Sequence, residues 1–159
     1  MTIYYAGVDP GLHGAVGFVR GDGSFAGVVD MPIVLQSNQR YAVDAGASAD
    51  VFRRHVPSFV LVERVGARPG EGATGAFSFG YTFGSIIAVL STLGVAHGLV
   101  QPASWKRKAG IPVGADKDVS IATAKALLPP AAAMLTLKKH DGRAEALLIA
   151  RQTWERASG

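Results

Sequence analysis

The stretch "IYYAGVDPGLHGAVGFVRGDGSFAGVVDM", residues 3–31, contains three short apolar segments in close succession. Pro10-Gly11 ends the first segment, "IYYAGVD", and the turn sequence "RGDGS" separates "GAVGFV" from "FAGVVDM". Short apolar runs bounded by Gly, Pro and Asp are typical of strands joined by tight turns. We therefore expect three consecutive strands that pair antiparallel.

The rest of the chain alternates between helical and strand patterns. "SADVFRRHV" predicts a helix with Ser48 as a plausible N-cap, and "SFVLVERV" predicts a fourth strand. A long helix, "AFSFGYTFGSIIAVLSTLG", ends at Gly94, a fifth strand "AHGLVQP" follows, and "DKDVSIATAKALL" and "HDGRAEALLIA" predict two more helices. This order predicts one α/β domain over residues 1–159, with a mixed five-stranded sheet (three antiparallel strands, then parallel strands) and helices on both faces.

Composition restricts the class of protein. The chain has no cysteine, which excludes disulfides and thiolate metal sites and is compatible with the reducing cytoplasm, where we expect the protein. The start "MTIYYAGVDPG" lacks the features of a signal peptide. Ser, Thr, Gly and His interrupt the longest apolar stretch, "SIIAVLSTLGVAHGLV", so we expect a buried helix and a strand there, with no membrane partner.

Four acidic residues stand at the ends of predicted strands or at the start of the final helix. Asp9 ends the first strand and Glu63 ends the fourth, so in a parallel pair the two strand ends would lie about 5 Å apart at one sheet edge, where the carboxylates can converge. Asp141 and Glu145 stand one turn apart at the start of the final helix, where like charges repel by roughly 0.2–0.5 kcal/mol. Together the four acids would form a cage for hard divalent cations, and a bound cation would turn that repulsion into attraction.

Each acid taken alone has a simpler explanation. Asp-Pro-Gly at Asp9 is a common turn, and Glu63 could be a solvated charge at a strand end. Asp141 could be a helix N-cap, and Glu145 could lie on the outer helix face. The joint pattern of four acids is more specific than any one of them.

Basic residues are clustered although the formal net charge is only +4. "WKRKAG" and "LKKHDGR" are basic, and Arg64 and Arg68 flank a Gly-rich loop. Such clusters suit a phosphate backbone, although each one could also be solvated surface. Arg143 lies away from the helix face of Asp141 and Glu145, so we expect it to reach a phosphate or solvent.

Three motifs carry a resemblance to a known family. "GVDPGLHGAVGF", "VLVERV" and "HDGRAEALLIA", in this order, resemble the RuvC Holliday junction resolvases of the RNase H-like superfamily, and more closely the RuvC-like enzymes of bacteriophages and prophages. The resemblance implies an endodeoxyribonuclease that makes paired symmetric cuts in four-way DNA junctions. It also implies that Asp9, Glu63, Asp141 and Glu145 hold two Mg²⁺ or Mn²⁺ ions by which the phosphodiester is hydrolysed.

The resemblance also assigns residues outside the acidic group. Lys106 and Lys117 match lysines that the family keeps near the scissile phosphate, and Phe77 and Phe79 fall where it contacts the junction centre. The full set expected to contact DNA is Arg64, Arg68, Phe77, Phe79, Lys106, Arg107, Lys108, Lys117, Lys138, Lys139 and Arg143. For Phe79 taken alone, a place in the core is the favoured interpretation.

Symmetric cutting implies a two-fold homodimer, and the helix that starts near Phe77 is the family's usual dimer contact. Gly80 and Gly84 on this helix would allow close approach of a partner, or equally of the chain's own sheet. The final helix departs from the common bacterial pattern Asp-x-x-Asp, because its acids are four apart and His140 precedes them. His140 is a further candidate ligand, although a neutral, exposed histidine is the favoured interpretation.

Other functions of the same fold stay open. An RNase H-type or flap nuclease would use the same acids, and a non-catalytic module could bind branched DNA without needing them. Sugar kinases and actin-like ATPases share the sheet topology but need two such domains, so we expect no nucleotide cofactor.

Overall fold

The computed structural model describes residues 1–67 and 69–159. The strands are β1 Tyr4–Asp9, β2 Ala15–Arg20, β3 Phe25–Asp30, β4 Ile33–Leu35, β5 Tyr41–Val43, β6 Phe59–Glu63 and β7 His97–Val100. The helices are α1 Ala45–His55, α2 Ala73–Thr92, α3 Pro102–Lys108, α4 Lys117–Leu127 and α5 Asp141–Ser158, with short 3₁₀ helices at Pro129–Met134 and Lys138–His140.

The main sheet has five strands in the order β3-β2-β1-β6-β7. β1 pairs antiparallel with β2, and β2 with β3, whereas β1–β6 and β6–β7 are parallel. The predicted mixed sheet is therefore confirmed, including the parallel neighbours whose carboxyl ends share one edge.

Helices cover both faces of this sheet, as expected. On one face α1 and α2 pack against the sheet. The core there contains Ala6 and Val8 of β1 and Ile86 and Leu90 of α2. On the other face α5 packs against the sheet, and the core there also contains residues of α3 and α4. Because side chains alternate along a strand, Asp9 and Glu63 lie on the α5 face.

α5 approaches the sheet so closely that a side chain would not fit beneath it. A Cβ at Gly7 of β1 would lie 2.2 Å from the backbone nitrogen of Ala150, and one at Gly17 of β2 would lie 2.7 Å from that of Leu147. Gly7 of β1 therefore allows the backbone of α5 to lie directly on the sheet. This close contact fixes where the start of α5 meets the strand ends.

The sequence patterns missed three elements, β4, β5 and α3, and misplaced the start of α1. β4 and β5 form a separate two-stranded hairpin, and α3 begins at Pro102 in the segment read as the end of a strand. The N-cap of α1 is Asp44, whose Oδ1 accepts a hydrogen bond from the Ala47 backbone N–H at 2.9 Å. Ser48 is instead buried within the helix, so its predicted capping role is wrong.

α2 combines an apolar composition with a large exposed surface. Among the described residues it is the one helix long and apolar enough to cross a membrane, a test that core helices also pass. Its inner side, with Ile86 and Leu90, packs on the sheet, whereas Phe77 and Tyr81 are exposed.

Candidate metal centre

Three carboxylates from three elements converge at the carboxyl end of the parallel strands. Val8 of β1 pairs with Val62 of β6, so Asp9 and Glu63 follow as neighbours. α5 contributes Glu145, and one ligand atom from each of these three acids lies within 4.8 Å of the others. All three residues are partly buried.

Asp141, the fourth acid, lies beside this group but pairs with a lysine. Its Oδ2 is 2.7 Å from the Nζ of Lys117, at the start of α4. In the same way Lys106 of α3 places its Nζ 3.6 Å from Oε1 of Glu145. The repulsion between Asp141 and Glu145 is thus compensated by two ammonium groups, one for each acid.

The alternative explanation of Asp141 as a helix cap does not hold. α5 begins at Asp141 itself, its N-cap residue is His140, and no side chain caps the helix. The carboxylate of Asp141 points to Lys117 and lines the same cleft as the other three acids.

The electrostatics of the group favour a bound cation. Burial and the neighbouring charges of Glu63 and Glu145 raise the pKa of Asp9 from 3.8 to about 7, against the opposing effect of a hydrogen bond from the Gly11 backbone. Burial also raises the pKa of Glu145, an effect that Lys106 partly opposes. Buried acids whose charged forms are disfavoured gain most when a cation is placed among them.

The donor set fits a hard divalent ion. Mg²⁺ and Mn²⁺ prefer carboxylate oxygens, and the described residues offer three such groups around one point with a fourth adjacent. His140 does not belong to this group. It is buried, not exposed as expected, and its Nδ1 accepts a hydrogen bond from the Leu137 backbone N–H at 3.2 Å.

A residue that the sequence analysis did not single out contacts the acidic group directly. The indole Nε1 of Trp105 in α3 donates a hydrogen bond to Oε2 of Glu63. The sequence gives one weak signal for it, because Trp105 immediately precedes Lys106. Nothing in the sequence alone places α3 over the end of β6.

The acids lie in a cleft of about 1150 Å³. Its walls include Lys106, Lys117, Arg107 and Phe79. Phe79 is partly buried and lines this cleft beside the acids, so the interpretation of Phe79 as a core residue is wrong. The cleft therefore contains a group of carboxylates that could bind a metal ion, and its walls carry basic and aromatic side chains.

The other basic residues expected to contact DNA differ in their exposure and in whether they form ion pairs. Arg64 and Lys139 are exposed. Lys108 is exposed and lies 4.0 Å from the partly buried Glu155, and Lys138 forms an exposed pair with Asp118 at 3.5 Å, so a phosphate could replace either acid. Arg68 falls outside the described residues.

Arg143 does not reach out to solvent as expected. Its Nε and Nη2 bind the two carboxylate oxygens of Asp30 at 2.6 and 2.7 Å, and its Nη1 donates to the Met134 carbonyl at 3.0 Å. This bidentate pair ties α5 to the end of β3. The expectation that Arg143 is directed to a phosphate or solvent is therefore wrong.

α2 carries an exposed apolar stripe. Phe77 is 76% exposed, and Tyr81, Gly84 and Ala88 follow it along the same side. A Cβ at Gly80 or Gly84 would meet no described atom within 4 Å, so these glycines do not pack against the sheet. Beside Phe77, the β4–β5 hairpin contributes Arg40 and Tyr41 to a smaller cavity of about 200 Å³.

Known proteins resemble the chain in sequence and in fold. No protein-family profile matches it. A curated relative, Holliday junction resolvase MOC1 of the Chlamydomonas reinhardtii chloroplast, is 36% identical over 97 residues, which are 61% of this chain and 11% of that protein. The chain thus spans about a tenth of the length of that relative.

Two solved structures of Thermus thermophilus RuvC are similar over nearly the whole chain. RuvC in complex with a Holliday junction substrate superposes with a TM-score of 0.63 at 19% identity, covering 98% of this chain and 96% of that one. RuvC alone gives 0.57 at 19% identity, covering 98% and 97%. The fold class is therefore the RNase H-like α/β fold. Within that class, the chain has the RuvC fold.

Proposed function

We propose that this chain is a Holliday junction resolvase, an endodeoxyribonuclease that makes paired symmetric cuts in four-way DNA junctions. The observation that carries the proposal is the convergence of Asp9, Glu63 and Glu145, with Asp141 beside them, in a cleft with basic walls. The relative MOC1 and the RuvC fold support it. In this proposal residues 1–159 form one nuclease domain that acts in the cytoplasm.

The four acids would hold two Mg²⁺ or Mn²⁺ ions. Asp9, Glu63 and Glu145 surround one position, and Asp141 together with one of them would complete a second. When bound, such a pair of ions supplies activation of the attacking water and stabilisation of the leaving oxygen. No protein nucleophile is needed, which agrees with the absence of cysteine.

The two lysines then have a second role. Lys117 and Lys106 form ion pairs with Asp141 and Glu145. Both ammonium groups line the same cleft, so they would bind the scissile phosphate if the acids held cations. Arg107 lines the cleft and would bind the adjoining backbone.

The α2 surface would serve the junction and a partner protomer. Phe77 is exposed next to the hairpin cavity, so it would stack on an unpaired base where the strands exchange. Gly84 and Ala88 continue the stripe and would form the two-fold contact of a homodimer, which places two active sites on one junction. The phage or prophage type of resolvase is proposed from the resemblance of the three sequence motifs to such enzymes.

The test is cleavage of a synthetic four-way junction by the purified protein with Mg²⁺. We expect two symmetric nicks on opposing strands, loss of cleavage in EDTA and retained junction binding. Linear duplex and an RNA–DNA hybrid are the control substrates. Preferred cleavage of the hybrid would replace the proposal with an RNase H-type nuclease, and cleavage independent of divalent ions would refute the metal centre.

A further inference from the structure

The short helix α3 contacts two of the acids from adjacent positions. Trp105 donates its indole N–H to Oε2 of Glu63, which lies 42 residues earlier at the end of β6. The next residue, Lys106, places its Nζ 3.6 Å from Oε1 of Glu145 on α5. One seven-residue helix thus touches acids from both the sheet and α5.

We propose that Trp105 is a positioning residue of the metal centre, which holds the Glu63 carboxylate in the orientation that a divalent ion requires. This role rests on the proposed function, because it presupposes that Asp9, Glu63 and Glu145 bind a metal. In this role Trp105 would act through Glu63 and would not bind the ion itself.

The packing of Trp105 makes its indole a rigid donor. Its side chain is 1% exposed and belongs to the core cluster that also contains Leu61, on the same strand as Glu63, and Val100, which pairs with Glu63 from β7. A buried indole N–H needs an acceptor, and here the acceptor is a carboxylate, to which hydrogen bonds are stronger than to neutral groups. The orientation of the ring therefore constrains the orientation of Glu63.

A neutral donor suits this position better than a cation would. Glu63 offers an oxygen within 4.8 Å of oxygens of Asp9 and Glu145, so repulsion between these acids opposes the placement of its carboxylate that the indole donor favours. A lysine in this place would compete with the incoming metal for the same charge. The indole N–H stabilises the carboxylate without adding charge, so its bond can persist when a metal binds, as outer partners of metal ligands do.

The chain offers a matched control in its second tryptophan. Trp154 of α5 also donates its Nε1, at 2.9 Å, but the acceptor is the backbone carbonyl of Gly21. Trp105→Phe and Trp154→Phe each replace an indole by a phenyl ring and remove one N–H donor. Only Trp105→Phe removes a donor from an acid of the proposed metal centre.

The experiment is calorimetric titration of the DNA-free protein with Mn²⁺, beside melting curves. We expect Trp105→Phe to weaken Mn²⁺ binding by about tenfold or more, the usual effect of losing an outer partner of a ligand, and Trp154→Phe to leave it unchanged. The Mg²⁺ concentration that half-activates junction cleavage should rise for Trp105→Phe, with the maximal rate largely restored at high Mg²⁺. A folded Trp105→Phe protein with wild-type Mn²⁺ affinity would make Trp105 a core residue only.

A second measurement avoids substituting Trp105 at all. In Trp154→Phe protein Trp105 is the one tryptophan, so its fluorescence reports on the contact with Glu63. We expect Mg²⁺ to change this emission with the calorimetric midpoint, and Glu63→Gln to abolish the change. Emission that is insensitive to a metal bound in the calorimeter would overturn the role of Trp105. Absence of metal binding by the wild type would instead refute the metal centre of the proposed function.

Discussion

The helices on the two faces of the sheet differ in how closely they pack and in how much apolar surface they expose. On the α5 face the helix lies directly on Gly7 and Gly17, and the four acids are gathered in a partly buried cleft. On the α2 face the inner side of the helix packs on the core, but its outer side exposes Phe77, Tyr81 and two glycines. In the proposed function this difference separates two roles: catalysis belongs to the tightly packed α5 face, and contact with the junction centre and a partner protomer belongs to the open α2 face.

Gly7→Ala should produce the largest effect, because it tests the tight packing of the α5 face. The added Cβ would lie 2.2 Å from the Ala150 nitrogen, and backbone atoms cannot yield as a flexible side chain can. We expect a loss of roughly 3 kcal/mol or more in the free energy of unfolding. Chemical denaturation measures it.

Gly27→Ala on β3 is the matched control, since its added Cβ would meet no described atom within 4 Å. It should change stability by less than about 1 kcal/mol. Equal stabilities of the two variants would mean that α5 does not lie against β1 as described.

Asp9→Asn should stabilise the metal-free protein, and more so as pH rises. The pKa of Asp9 is about 7 in the fold against 3.8 ordinarily, so between these values the folded state retains a proton that the unfolded state has released, and wild-type stability falls with rising pH. Asparagine cannot ionise and avoids this loss, which for a shift of about 3 pKa units amounts to at most about 4 kcal/mol.

The measurement is a pair of melting curves in EDTA at pH 5 and pH 8. Asp50→Asn, at an exposed ion pair on α1, is the control and should show little pH-dependent gain. A gain for Asp9→Asn that shrinks between pH 5 and pH 8 would contradict the buried acidic group.

Phe77→Ala should leave the fold intact and weaken only the contact with DNA. The side chain is 76% exposed, so little core is lost, whereas a stacked base is worth about 1–3 kcal/mol. A junction carrying 2-aminopurine at its centre would report reduced unstacking by fluorescence. Val56→Ala, at the exposed end of α1, is the control, and a drop in melting temperature for Phe77→Ala alone would make Phe77 a structural residue.

The sequence predicted the sheet because its signals are local. Turn residues such as Pro10 and Gly11 mark the strand ends, and parallel pairing then places Asp9 beside Glu63 without further information. The hairpin β4–β5 was not predicted, because its strands have only three residues each and most of their apolar side chains are exposed. Such short strands carry no alternating pattern of apolar and polar residues.

The parts of the site that the sequence did not predict depend on tertiary packing. Trp105 reaches Glu63 across 42 residues, and Arg143 pairs with Asp30 across 113, so no local pattern encodes either contact. The burial of His140 was not predicted for the same reason, since the neighbouring lysines suggested an exposed segment.

The central claim, that the acids form a metal centre for junction cleavage, is tested most directly by single neutralising substitutions. Asp9→Asn, Asp141→Asn and Glu145→Gln should each lower junction cleavage at saturating Mg²⁺ by roughly a thousandfold or more, because each removes a charged ligand from the two-ion arrangement. All three should retain the fold and bind the four-way junction as the wild type does. Near-normal cleavage by these variants, with symmetric nicks still formed, would contradict the account.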